Sequence, residues 1–127
     1  MNRAALLDSS FLVELERETA RRELGPARRL LAALAGRRLV VSVVSVAELL
    51  ESAADETLTL AFLRQFAIQG IHLAQARRCA LLQRRAARQL GENDAWIVAT
   101  AESIGADVVG ADRAAFERLG NRYLRFR

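Results

Sequence analysis

The 127-residue sequence contains one cysteine, one histidine, one proline and no lysine, and each scarcity removes a class of chemistry. Cys79 has no partner for an internal disulfide, and one thiol with one imidazole cannot build a zinc site of the Cys/His type. Any Ser-His-Asp or Cys-His relay has to run through His72, since no other imidazole exists to act as base. His72 lies in Gly70-Ile71-His72-Leu73, a short apolar stretch before a helical pattern, where a packed or half-exposed structural role is expected. No run approaches the ~18 apolar residues needed to span a bilayer, and Asp8 interrupts Ala4-Ala5-Leu6-Leu7 before a secretory apolar core can form. With a single unpaired cysteine as well, a cytoplasmic chain without a membrane segment is expected.

With imidazole, thiolate and amine chemistry set aside, oxygen chemistry is what remains. The residues are 52% hydrophobic and 27% charged, a balance that reads as globular and not disordered. A chain of this length is expected to form one domain over residues 1–127, burying roughly two-thirds of its unfolded surface. All 19 positive charges are arginine against 15 acids, a net charge of +4. A GC-rich genome accounts for an arginine-only, alanine- and leucine-rich composition. The planar guanidinium fork also suits phosphate, so a nucleic-acid partner stays open.

Seven glycines fall between periodic segments and punctuate the chain. Arg3 to Leu7 reads as a buried strand and Ser10 to Arg17 as a helix. Gly25-Pro26 opens a second helix that Gly36 closes. Leu39-Val40-Val41-Ser42-Val43 is apolar on both faces, as in a strand covered on both sides, and feeds a helix containing Ala47-Glu48-Leu49-Leu50. Further elements are expected as helix from Glu56 to Ala67, strand from Ile71 to Leu73, helix from Ala74 to Gln89 and helix from Glu92 to Ile104. Asp107-Val108-Val109 then reads as strand, Arg113 to Leu119 as helix and Arg122 to Phe126 as a final strand. This alternation points to an α/β domain with a mostly parallel sheet.

Three acids occupy the same topological place: Asp8, Glu48 and Asp112 each follow the carboxyl end of a strand, the edge where open α/β sheets bind ligands. Asp94 opens the helix Asp94-Ala95-Trp96-Ile97-Val98-Ala99, on the face shared by Ile97, Val98 and Ala101. A carboxylate on an apolar stripe is costly unless something pairs with it. Each acid also has an ordinary helix-capping explanation: Ser45-Val46-Ala47-Glu48 matches a capping box, and Asp112 suits an N-cap. Taken singly, capping is the favoured reading of all four.

Four blocks taken in order change that weighting. They are Leu6-Leu7-Asp8-Ser9-Ser10, Val41-Ser42-Val43-Val44-Ser45-Val46-Ala47-Glu48-Leu49, Asn93-Asp94-Ala95-Trp96-Ile97-Val98-Ala99-Thr100-Ala101 and Asp107-Val108-Val109-Gly110-Ala111-Asp112. End to end, the chain resembles the PIN domains, specifically the VapC-type toxin ribonucleases of toxin-antitoxin pairs. The resemblance implies a three-layer α/β/α fold on roughly five strands. It also implies an acidic pocket of Asp8, Glu48, Asp94 and Asp112 that binds Mg²⁺ or Mn²⁺, with Asp8 and Asp94 the surest ligands. Hard divalent cations take oxygen ligands, and without one the clustered carboxylates would raise one another's pKa. The activity implied is metal-assisted hydrolysis of RNA phosphodiesters. One departure stands out: PIN domains often carry Ser or Thr two residues before the last acid, and here that residue is Gly110. Ser9 or Ser10 can supply a hydroxyl near Asp8, Ser10 being equally suited to N-cap the first helix.

On the helix from Ala74 to Gln89, Ala76, Cys79, Ala80, Gln83, Ala86, Ala87 and Leu90 repeat on a core-facing side. Arg77, Arg78, Arg84, Arg85 and Arg88 occupy the other. Each arginine by itself reads as solvated surface, while as a group they can guide RNA toward an acidic pocket that would otherwise repel it. Ser9, Arg77, Arg84, Arg85 and Arg88 are therefore the candidate substrate contacts. The family resemblance further implies an antitoxin wrapping the helices around residues 10–65, and a homodimer. The competing expectation is a PIN-like module without nuclease activity that works by binding protein or RNA. A receiver-like phosphoacceptor fits poorly in a chain without lysine.

Overall fold

Strands whose side chains are apolar on both sides of the pleat must be covered on both faces, and this requirement builds the middle of the molecule. The computed structural model describes residues 3–111 and 116–127. Its sheet comprises β1 (Ala4–Leu7), β2 (Leu39–Ser42), β3 (Ala67–Gln69), β4 (Ala106–Gly110) and β5 (Tyr123–Arg125). Their order is β3-β2-β1-β4-β5 and every pairing is parallel. Among the described residues six α-helices connect and cover them: α1 (Ser9–Arg21), α2 (Pro26–Ala33), α3 (Val43–Ser52), α4 (Glu56–Leu63), α5 (Leu73–Arg85) and α6 (Glu92–Ile104). The expected α/β/α layering is what forms, with the sheet parallel throughout.

Alternation along the strands sorts the two cores. Ala5, Leu7, Val41 and Val109 point toward Phe11, Leu12, Leu15, Ala27, Leu49 and Leu63 of α1 to α4. Leu6, Val40 and Val108 point the other way, into Cys79 and Leu82 of α5 and Ala95, Ile97, Val98 and Ala101 of α6. Cys79 is thus a core residue, as its place on the apolar face indicated. At the amino-terminal edge, Asp107 receives Arg3 Nε at 2.7 Å and Arg37 Nη2 at 2.6 Å. That clamp holds β1 and β4 in register and puts Asp107 at the far end of the sheet from the acids discussed below.

Several boundaries differ from expectation. The third strand lies at Ala67–Gln69, because α4 stops at Leu63, four residues short of the expected Ala67, and Phe66 N donates to Leu63 O to turn the chain. Ile71 and Leu73, the expected strand residues, are exposed, and His72 is the exposed N-cap of α5. α5 ends at Arg85 because Ala86 turns extended. Gln89 is therefore outside the helix, and Ala80 and Ala87, assigned to its core face, are exposed. After residue 116 the chain forms a 3₁₀ turn at Glu117–Arg122, broken where Gly120 takes φ +58. Residues 113–115 of the expected helix lie outside the described residues. The final strand is β5, an edge strand as its sequence suggested. Beyond it, Phe126 packs edge-on against Phe11 with ring centroids 5.2 Å apart.

The start of α2 is held from a distance. Its N-cap, Gly25, has no side chain, and the Glu18 carboxylate of α1, 1% exposed, accepts from Ala27 N at 3.1 Å and Arg28 N at 2.9 Å. A Cβ at Gly25 would stand 2.5 Å from that carboxylate. Gly25→Ala is therefore expected to displace the cap and to destabilise the fold by about 1–2 kcal/mol. Glu18→Ala should cost at least as much, both read from urea unfolding midpoints.

Candidate functional site

The strand order reverses at β1: β2 and β3 extend the sheet on one side, β4 and β5 on the other. In open α/β sheets such a switch point opens a crevice beyond the carboxyl ends of the strands. Asp8 follows β1 there and its N–H donates to Val109 O at 2.8 Å, tying it to β4. It serves as N-cap residue of α1 without a side-chain capping bond. Its carboxylate is therefore turned to other use, and Ser10, one residue into the helix, is not the cap.

Asp8 is 7% exposed. Burial pushes its carboxyl from an ordinary 3.8 up to about 6, against the lowering effect of bonds from the Ser10 hydroxyl and the Ser9 backbone. Glu48 and Asp94 add repulsion that raises it further. Two of the other expected acids thus act electrostatically on Asp8. Glu48 and Asp94 also line one open cleft of about 440 Å³ together with Gly91, Glu92 and Asn93.

Each acid is delivered by a different element. Glu48 sits within α3, whose N-cap is Ser42, with the Ser42 hydroxyl accepting from Val44 N at 3.1 Å. The capping box expected from Ser45 to Glu48 is not formed. Glu48 Oε1 instead accepts from Ser9 Oγ at 3.2 Å, a bond between α1 and α3. Asp94 lies in the first turn of α6, whose N-cap is Gly91, and its Oδ2 would be 3.3 Å from a Cβ on that glycine. Asp112 lies outside the described residues.

Gly110, the departure noted in the sequence, has a local explanation. A Cβ at 110 would be 3.3 Å from both Asp8 Cβ and Asp8 Oδ2, and 3.4 Å from Ser10 Oγ. The Ser10 hydroxyl donates to Asp8 Oδ2 at 3.0 Å and accepts from Ala111 N at 3.1 Å. It spans α1 and the end of β4 beside the space that glycine leaves open. Ser10 thus supplies the hydroxyl near Asp8 that the sequence offered, whereas the cleft residues Glu92 and Asn93 were not among the site residues expected. The signal for the latter two is their place in the same first helical turn as Asp94.

The donors are carboxylates and hydroxyls, the set that suits a hard divalent cation. Among the described residues, no three His, Cys, Asp or Glu side chains are grouped closely enough to hold an ion by themselves. The arginines lie elsewhere: Arg77, Arg78 and Arg84 line a separate cleft of about 540 Å³ on α5 with Ala74, Ala80 and Leu81. Arg85 and Arg88 are exposed. Among the described residues no helix is long and apolar enough to cross a membrane.

Solved structures share this architecture. A toxin-antitoxin complex from Klebsiella pneumoniae is 24% identical, with a TM-score of 0.76 over 95% of this chain and 99% of the other. A DNA-bound VapBC from Salmonella typhimurium is 19% identical, with a TM-score of 0.73 over 99% and 100%. FitAcB from Neisseria gonorrhoeae is 19% identical, with a TM-score of 0.74 over 97% and 96%. No curated protein matches the chain. At these identities the likeness establishes the fold, and it is the family model for the PIN domain, matching residues 5–121, that carries the assignment. The sheet order, the acids at its carboxyl edge and that match agree: the chain belongs to the PIN domain family.

Proposed function

We propose that the protein is a VapC-type toxin, an endoribonuclease that hydrolyses RNA phosphodiesters at the acidic edge of its sheet with Mg²⁺ or Mn²⁺. The observation that carries the reading is the buried Asp8 at the switch point, within electrostatic reach of Glu48 and Asp94, which line one cleft, in a family whose toxin members are nucleases. Asp8 and Asp94 would hold the cation, with Glu48 and Asp112 completing the acidic set. When bound, such an ion lowers the pKa of a water and neutralises charge developing on the phosphate. The chain's own residues orient these groups: Ser10 fixes Asp8 Oδ2, and Ser9 restrains Glu48 Oε1. Ser9 thus fits a positioning role better than the substrate contact first expected of it.

Arg77, Arg84 and Arg85 of α5, with Arg88 just beyond its end, would draw RNA to the surface by phosphate attraction. An antitoxin is the partner that fits the groove of about 630 Å³ between α1, α3 and α4, where Val13, Ala20, Leu49, Leu58 and Phe62 form the walls. Exposed Ile68, Ile71 and Leu73 at the β3 edge offer an apolar surface for a homodimer. The cytoplasm is the compartment this role requires.

The test is incubation of purified protein with a mixed RNA pool and with single-stranded DNA of the same length, with Mn²⁺ and with EDTA. RNA cleavage that needs the ion supports the reading; ion-independent cleavage, or none, refutes it. Gly110→Ser supplies the hydroxyl at the position where relatives often have one, yet it should lower cleavage by about tenfold, because crowding Asp8 disturbs a placement on which catalysis depends steeply.

A further inference from the structure

The turn that carries the chain into α6 is held by one side chain. Gln83 lies on α5, two residues before the helix ends at Arg85. Its Nε2 donates to Leu90 O at 2.9 Å, and its Oε1 accepts from Leu90 N at 2.9 Å. A carboxamide is a peptide group without a chain, so this pair satisfies both polar groups of one residue as a neighbouring strand would. Leu90 immediately precedes Gly91, the N-cap of α6, whose carbonyl accepts the first helical bond from Ala95 N at 2.9 Å. Gly91, Glu92, Asn93 and Asp94 then form one wall of the acidic cleft, opposite Glu48.

We propose that Gln83 is a positioning residue for the acidic cleft: by clamping the main chain of Leu90 it fixes the start of α6 and hence the placement of Asp94. The residues between the clamped ends, Ala87, Arg88 and Gln89, are exposed. Fixing this segment from both polar groups of Leu90 therefore matters more than it would in a packed turn. Gln83 touches neither substrate nor ion in this account. Its effect passes through Leu90 and Gly91 to the first turn of α6. The inference rests on the nuclease reading for its catalytic consequence but not for its structural one.

The test compares the whole chain carrying Gln83→Leu, which removes both bonds at similar volume, with Gln83→Glu, which retains the acceptor for Leu90 N and loses the donor to Leu90 O. Three quantities are read: amide hydrogen exchange across residues 86–92, the Mn²⁺ dissociation constant from water proton relaxation, and kcat and KM for RNA cleavage. In Gln83→Leu, exchange of the Leu90 amide should accelerate by about tenfold or more while the α5 and β1 amides stay protected. Mn²⁺ affinity and kcat should each fall about tenfold with KM changing less than about twofold, as expected when the acids are misplaced and substrate binding is intact. Gln83→Glu should fall between Gln83→Leu and the parent protein, and if Gln83→Leu does not fold, the same ordering against the parent is read from Gln83→Glu alone. Unchanged Leu90 exchange overturns the clamp, and faster exchange with unchanged Mn²⁺ affinity overturns its role in placing the cleft. A parent protein that binds Mn²⁺ but cleaves no RNA overturns the nuclease reading, while the exchange and Mn²⁺ measurements still decide the clamp.

Discussion

Asp8→Asn is expected to abolish RNA cleavage, by about a thousandfold or more, and at the same time to make the protein more stable at neutral pH. The first effect follows from removing the Asp8 carboxylate charge from the switch point, where the proposed ion binding and transition-state stabilisation would both depend on it. The second follows from the same burial that makes Asp8 useful. Its carboxyl titrates at about 6 in the folded protein against an ordinary 3.8. Between those values the folded state holds more protons than the unfolded one, so stability falls as pH rises through that window. Below about 4 the penalty is absent, and above about 6 it is complete. A carboxyl raised this far destabilises the folded state by about 3 kcal/mol at full effect. Thermal unfolding should therefore show Asp8→Asn above the parent at pH 7.5 and level with it at pH 4. A variant that is inactive and less stable at pH 7.5 would mean that Asp8 is held by favourable bonds alone.

Leu58→Asp is expected to weaken binding of the antitoxin partner proposed above by about thirtyfold or more, the scale seen when a central apolar anchor is removed from an interface. Leu58 is 66% exposed and Val13, across the groove, 53%. Large apolar side chains exposed on facing helices are the kind of surface that would suit the proposed partner. The charge added by aspartate would also enter a groove already edged by Glu16 and Asp55. Calorimetric titration of the antitoxin into parent and variant measures the loss; equal affinities would move the interface off this groove.

The same contrast between local pattern and tertiary assembly explains what the sequence could reveal. Strands with strong signals were legible: Leu39 to Val43 and Asp107 to Val109 are apolar on both faces because helices cover both. β3 was misplaced because a three-residue edge strand has almost no period to read, and its apolar neighbours Ile71 and Leu73 turn out to be surface. The end of α5 was invisible because the clamp that replaces its next turn is a side-chain pairing across seven residues. At the site, the positions of Asp8, Glu48 and Asp94 followed from strand ends and from the family's motif order. Their convergence did not, since it depends on the switch point created when β4 joins β1 on the side opposite β2. Nor did the sequence show that Ser10 and Gly110 form one packed unit around Asp8, 100 residues apart along the chain.

The proposed cation site draws on Asp8, which follows β1, and Asp94 of α6, with Glu48 of α3 beside them. It is tested most directly by titrating Mn²⁺ into the parent protein and into Asp8→Asn, Glu48→Gln and Asp94→Asn, following water proton relaxation at pH 7.5. Saturable binding is expected in the parent, with an affinity lowered at least about tenfold in Asp8→Asn and in Asp94→Asn, and Glu48→Gln weaker than the parent as well. Mn²⁺ binding that is unchanged in both Asp8→Asn and Asp94→Asn would contradict it.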